Sequence, residues 1–97
     1  MNTILYRRAA DLMEAELGDE LVGLDITSGR CFGFNSVATS VWRHLAEPRT
    51  FEHLRDALSS EYDVEAAQCS TELEVLLREM VERGLVIRDE PAAARNI

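Results

Sequence analysis

A chain of 97 residues, 46% apolar and 29% charged, holds one domain with a modest core, and that balance excludes a disordered chain. Its net charge of −8, from 18 acidic and 10 basic residues, argues against nucleic acid and anionic membrane as partners. No apolar run approaches the ~20 residues that span a bilayer. Residues 1–12 lack a signal-peptide core, being interrupted by Arg7, Arg8 and Asp11, so a cytoplasmic protein is expected. Cys31 and Cys69 stand far apart without CxxC spacing and read as two thiols rather than a disulfide or metal pair.

Residues 1–10 show no clear period and are expected as an arm or a strap. From Asp11 the pattern alternates. Met13, Ala15 and Leu17 fall on one face of a strand, with Glu14 and Glu16 on the other, solvent face. Gly18-Asp19 marks a turn. In the second strand Val22, Leu24 and Ile26 share a face, opposite Gly23 and Asp25. Thr27-Ser28-Gly29 is a second turn, with Gly29 suited to a positive φ. The third strand, Arg30 to Phe34, puts Phe32 and Phe34 on one face and Cys31 and Gly33 on the other. Three short strands with tight turns make an antiparallel meander whose apolar face must be covered.

The period then changes from two to that of a helix. Asn35 or Ser36 caps a first helix, with its apolar stripe at Val37, Ala38, Val41, Trp42 and Leu45. Glu47-Pro48 ends it, because a residue before proline avoids the helical region. Thr50 caps a second helix with the stripe Phe51, Leu54, Leu58 and Tyr62. Asp63 is the expected cap of a third, running to about Arg83 and stopped by Gly84. On that third helix Ala66, Cys69, Leu73, Leu76, Leu77, Met80 and Val81 cover a wide arc, which points to two apolar contacts, one with the core and one with a groove. Leu85-Val86-Ile87 is extended enough to add a wing strand, and residues 89–97 read as a flexible tail. Strands first and helices after define an α+β domain over 11–88: a three-stranded antiparallel sheet followed by three helices, winged helix-turn-helix-like.

Catalytic chemistry finds no foothold. His44 and His53 have no ligand spacing to a cysteine or carboxylate. Ser59-Ser60 has no neighbouring base, and Gly29 to Gly33 is too poor in glycine to cradle a phosphate. The acidic pairs Asp19-Glu20, Glu14/Glu16 and Asp89-Glu90 read as solubility, and the single tryptophan, Trp42, as core. No cofactor, metal or enzymatic role is expected.

Taken in series, several short segments carry a resemblance. They are Leu21-Val22-Gly23-Leu24-Asp25, Ser28-Gly29-Arg30-Cys31-Phe32-Gly33-Phe34-Asn35, Ala38 with Val41-Trp42-Arg43-His44-Leu45, and the join Pro48-Arg49-Thr50-Phe51. Leu54, Leu58, Glu61-Tyr62-Asp63-Val64, Leu73, Leu76-Leu77 and Glu82-Arg83-Gly84-Leu85-Val86 continue it. Over about Asp11 to Ile87 the chain resembles the PqqD-like family, also called the RiPP recognition element, departing from many relatives at Phe34, where they carry leucine. The resemblance implies a non-catalytic domain that binds the leader of a ribosomally made precursor peptide. The leader adds as a strand beside the third strand and lies against the third helix. It also implies a maturation enzyme as second partner: a radical-SAM protein in quinone-cofactor clusters, or a leader peptidase and cyclase in lasso-peptide clusters.

The groove expected from the pattern lies between Arg30, Cys31, Phe32, Gly33 and Phe34 on the strand and Ala66, Ser70, Leu73, Leu77 and Val81 on the helix. Gly33 there either lets a ligand backbone approach closely or eases the sheet twist. A winged-helix DNA-binding regulator is the alternative, and the acidic third helix tells against it: Glu65, Glu72, Glu74, Glu79 and Glu82 face only Arg78 and Arg83. The expected assembly is a monomer or a weak homodimer. The reading requires that the chain's own arm or tail leave the third strand's rim open.

Overall fold

The computed structural model describes residues 3–90. In chain order its elements are β1 (Leu5–Arg8), β2 (Met13–Leu17), β3 (Glu20–Asp25), β4 (Arg30–Phe34), α1 (Ser36–His44), β5 (Arg49–Thr50), α2 (Phe51–Tyr62), α3 (Ala66–Glu82) and β6 (Val86–Asp89). The α+β class and the three helices agree with the sequence. The single sheet does not: two three-stranded antiparallel sheets are present, ordered β2-β3-β4 and β5-β1-β6. Residues 1–10, expected as an arm or strap, contain β1, the middle strand of the second sheet, with Leu5 opposite Asp89 and Arg8 opposite Val86. Its other edge pairs with β5, Leu5 opposite Thr50. The two-residue β5 and the four-residue β1 are too short to show a period, so only β6, at the expected wing strand of Leu85-Val86-Ile87, was announced by the pattern. Of the expected tail 89–97, Asp89 ends β6, and 91–97 lie outside the described residues.

Local chemistry explains the helix ends. Asn35 Oδ1 accepts the Ala38 amide at 2.9 Å and Thr50 Oγ1 accepts that of His53 at 3.1 Å, each satisfying an orphan donor of a first turn. Asp63 is not the cap of α3. It closes α2 instead, in the left-handed region at φ 53°, and Glu65 takes the α3 N-cap without a side-chain bond. The turn thus needs a residue tolerant of positive φ, a need that aspartate meets better than most. Gly84 stops α3 at φ 77°, and the Leu85 amide reaches back to the Met80 carbonyl at 2.9 Å.

The meander carries the largest departure from expectation. Its inner face is set by Phe32 and Phe34, both buried. The register puts Gly23 opposite Phe32 and Leu21 opposite Phe34, so these share the inner face. Across β3, Glu14 and Glu16 lie opposite Gly23 and Leu21 and therefore also point inward. The expected faces of β2 and β3 are exchanged: Met13, Ala15, Leu17, Val22 and Leu24 look outward. Glu14 is not a solvated bystander, because its Oε2 accepts the indole N–H of fully buried Trp42 at 2.8 Å, whereas Glu16, paired with Arg43 at 3.3 Å, keeps a 69% exposed side chain. Gly23 is small for a reason, since a Cβ there would stand 2.6 Å from Cδ1 of Leu12.

The core lies between this inner face and the helices. Its buried members include Leu21, Phe32, Phe34, Val41, Trp42, Leu45, Leu54, Leu58, Leu73, Leu77, Met80 and Val86. Arg8 ties β1 to α1 and to the first sheet: its guanidinium sits 4.3 Å from the Trp42 ring, its Nε donates to the Trp42 carbonyl at 3.1 Å, and it pairs with Glu14 of β2 at 3.8 Å.

Candidate functional site

Among the described residues β4 is hydrogen-bonded only to β3, and its other edge is open. The edge runs beside α3. Between them Phe32, Gly33, Phe34, Asn35 and Ala38 face Leu76, Glu79, Met80, Arg83 and Leu85 across a depression of about 140 Å³. A second, more apolar depression of about 170 Å³ lies farther toward the start of α3, lined by Val37, Leu58, Tyr62, Val64, Cys69, Glu72 and Leu73. Cys69, Glu72, Leu73, Leu76, Glu79, Met80 and Arg83 recur every three or four positions, so one face of α3 walls both depressions. The two are separated by roughly 10 Å at 1.5 Å of rise per residue. Each is of a size to take one large side chain.

Packing holds the walls. Phe34 lies 5.5 Å from Trp42, centroid to centroid, so the strand is braced from below by α1. Arg30 lies over Phe32 with 4.9 Å from guanidinium carbon to ring centroid and shields that ring at the inner end of the strand. The Tyr62 hydroxyl donates to the Ser36 carbonyl at 3.1 Å, fixing one lip of the second depression. Burial pushes the Cys69 thiol up, and its Sγ donates to the Arg55 carbonyl at 3.6 Å, so this cysteine behaves as a wall, not a nucleophile. Glu72, Glu79 and Arg83 are exposed at the mouths. No cluster of three or more His, Cys, Asp or Glu among the described residues can hold a metal ion.

The sequence-expected lining divides in two. Phe32, Gly33, Phe34 and Leu73 do line these depressions, and Arg30 and Cys31 belong to the same strand. Cys31 points to the outer face, opposite Leu24. Leu77 and Val81 line a different hollow, about 370 Å³, formed with Tyr6, Glu74, Arg78, Glu82 and Arg88 on the other flank of α3. Ala66 and Ser70 share the helix side of Glu74 and line neither groove depression. Sequence reasoning did not name Ala38, Cys69, Leu76, Met80 or Leu85 as walls, although it had Cys69, Leu76 and Met80 on the apolar arc. The signal that separates the flanks is the i+3/i+4 track through Leu73, Leu76 and Met80, one step round the helix from Leu77 and Val81.

An α+β domain with an unpaired edge strand beside an apolar helix face is the class these features define. The chain belongs to the PqqD family: the model for that family, described as coenzyme PQQ synthesis protein D, matches residues 20–86. A comparison with curated proteins finds no match. Among solved structures the chain is similar to one described as TbiB1 in complex with the TbiA(beta) leader peptide. The two are 28% identical with a TM-score of 0.72, over 82% of this chain and 93% of that one. It shares its fold with lasso peptide synthetase B1 complexed with the leader peptide, at 23% identity and a TM-score of 0.70, over 84% of this chain and 96% of that one.

Proposed function

We propose that this protein is a non-catalytic adaptor that binds the leader of a ribosomally synthesised precursor peptide and presents it to a maturation enzyme. The open β4 edge beside the α3 groove carries the proposal. Main-chain hydrogen bonds to β4 give the leader its register, and alternate side chains enter the two depressions. The similarity to TbiB1, which is described in complex with a leader peptide, supports leader binding here. The working unit runs from β1 to β6, because β1 anchors the strand that follows α3. Such a precursor is made in the cytoplasm, which is where the adaptor acts. The partner enzyme is a leader peptidase acting with a cyclase, or a radical-SAM protein, according to whether the precursor is of the lasso-peptide or the quinone-cofactor kind. No helix among the described residues is long and apolar enough to cross a membrane.

Micromolar affinity corresponds to about −8 kcal/mol, the net that two buried leader side chains and the strand hydrogen bonds must supply after ~2–5 kcal/mol is lost to ordering. The test is a titration of labelled synthetic leader, taken from the precursor encoded beside this chain's gene, followed by fluorescence anisotropy. Saturable binding in that range that persists at 0.5 M salt is expected. No binding by the folded protein overturns the proposal.

A further inference from the structure

The 10 lysine-or-arginine positions of this chain are all arginine, set against 18 acids, so an arginine without an acid beside it stands out. Arg7, Arg8, Arg43, Arg49, Arg55 and Arg88 each pair with a carboxylate. Among the described residues Arg30, Arg78 and Arg83 pair with none. Arg78 lies on the other flank of α3. Arg30 and Arg83 both border Phe32, at one end of the groove. Arg83 lines the depression beside β4 together with Phe32, and the Arg30 guanidinium carbon stands 4.9 Å from the centroid of that same ring.

The acids at neighbouring positions do not neutralise these two cations. Asp25 is opposite Arg30 in the register, but its Oδ1 accepts the Thr27 amide at 3.1 Å. Glu79 stands one turn back from Arg83, about 6 Å along the helix axis. Arg83, at the C-cap of α3, also suits the negative end of that helix. Arg30 has no helix to serve, and it sits on the strand whose edge is open.

We infer that Arg30 and Arg83 form a clamp for one carboxylate side chain of the leader, which makes an acid part of what this groove selects. The inference rests on the proposed leader-binding function. A strand laid against β4 takes water from Arg30, and a cation that loses water needs a partner. An acid supplies it, whereas a neutral residue leaves the charge uncompensated, so the choice comes from rejection as well as attraction. The planar fork of arginine grips a carboxylate through two parallel hydrogen bonds, which the ammonium of lysine does not. Strand geometry gives the position. Every strand pair in both sheets is antiparallel, and an antiparallel leader puts the residue opposite Phe32 into the depression. The residue two places nearer the leader's C-terminus then stands opposite Arg30 on the same face. The leader signature is therefore a large apolar residue, any residue, then Asp or Glu.

The test uses the full chain and the synthetic leader of the precursor encoded beside its gene. Each Asp or Glu of the leader is replaced in turn by Asn or Gln. Affinity is read by anisotropy against the parent and against Arg30→Gln/Arg83→Gln, with Arg83→Gln alone serving if the double variant unfolds. With the parent, one replacement is expected to lower affinity about fivefold to tenfold, at an acid that follows a large apolar residue by two. With the variant, the same replacement is expected to change affinity less than twofold, because the partner of that acid is gone. The parent's preference for the acid should shrink at 0.5 M salt while binding itself persists. The inference is overturned if no replacement weakens binding, if the loss is equal in parent and variant, or if the leader binds through a segment without an acid. A parent that fails to bind the unaltered leader removes the proposed function, and this inference with it, before any residue is replaced.

Discussion

The two flanks of α3 make different surfaces from one helix. On the β4 flank, Leu76 and Met80 face Phe32 and Phe34 across a small depression with Glu79 and Arg83 at its mouth, and Leu73 helps wall a second, more apolar one nearer the start of α3. On the β1/β6 flank, Leu77 and Val81 lie among Glu74, Arg78, Glu82 and Arg88 around a hollow of about 370 Å³. The difference follows from where the chain's beginning goes. β1 pairs with β5 and β6, so it fills the second sheet and leaves β4 unpartnered. An edge with side-chain-sized pockets can select a peptide; a wide hollow ringed by charges of both signs offers no such fit.

Neighbouring residues on the two flanks are the sharpest means of breaking this contrast. Leu77→Ala, at a side chain 1% exposed, is expected to cost ~2–5 kcal/mol of stability in urea unfolding. The fraction that remains folded should bind leader normally. Glu14→Ala leaves the buried Trp42 N–H without a partner and is expected to cost ~1–3 kcal/mol, while Glu14→Gln, which keeps an acceptor, recovers most of it. Leu76→Glu should lower leader affinity at least tenfold, about 1.4 kcal/mol, with little change in the urea midpoint. Its counterpart Val81→Glu should leave leader affinity within twofold. If Val81→Glu weakens binding and Leu76→Glu does not, the leader lies on the charged flank.

The smallest effect concerns α1 and α2. Burial pushes the Glu61 carboxyl up, but hydrogen bonds from Ser40 at 2.6 Å and His44 at 2.8 Å outweigh it and hold the carboxyl below its ordinary value. A carboxylate lowered in the folded state stabilises above the unfolded value, and that stability is lost as pH falls through the folded one. Glu61→Gln should therefore be less stable than the parent near pH 7 by at most about 0.5 kcal/mol, given its solvent exposure. The gap should close in acid, and thermal unfolding at the two pH values measures it.

The sequence was legible where one period ran long enough. The meander turns at Gly18 and Gly29, the caps Asn35 and Thr50, the stop at Gly84 and the stripes of α1 and α2, except the exposed Val37 and Tyr62 at their ends, stand where the pattern put them. Which face of the meander is buried was not legible, because alternation gives two faces without saying which is inner. Val22, Leu24 and Ile26 looked like core, but the two phenylalanines of β4 need the inner side more, and the register carries that choice across to Glu14 and Glu16. The second sheet was hidden for another reason: β1 and β6 find each other from opposite ends of the chain, and long-range pairing leaves no local mark. For the groove, the expected Phe32, Gly33 and Phe34 border the depression beside β4, whereas the expected Leu77 and Val81 lie about one step around α3, since an arc of apolar residues does not reveal which neighbour each one meets.

Trp42 has a practical consequence. The indole is fully buried, and its neighbours include Arg8 of β1, Glu14 of β2 and Phe34 of β4. As the sole tryptophan of the chain it is an intrinsic optical gauge. Ultraviolet emission from this ring senses the stacked cation, the carboxylate and the strand edge at once, so the arrival of a guest can be timed in unlabelled protein.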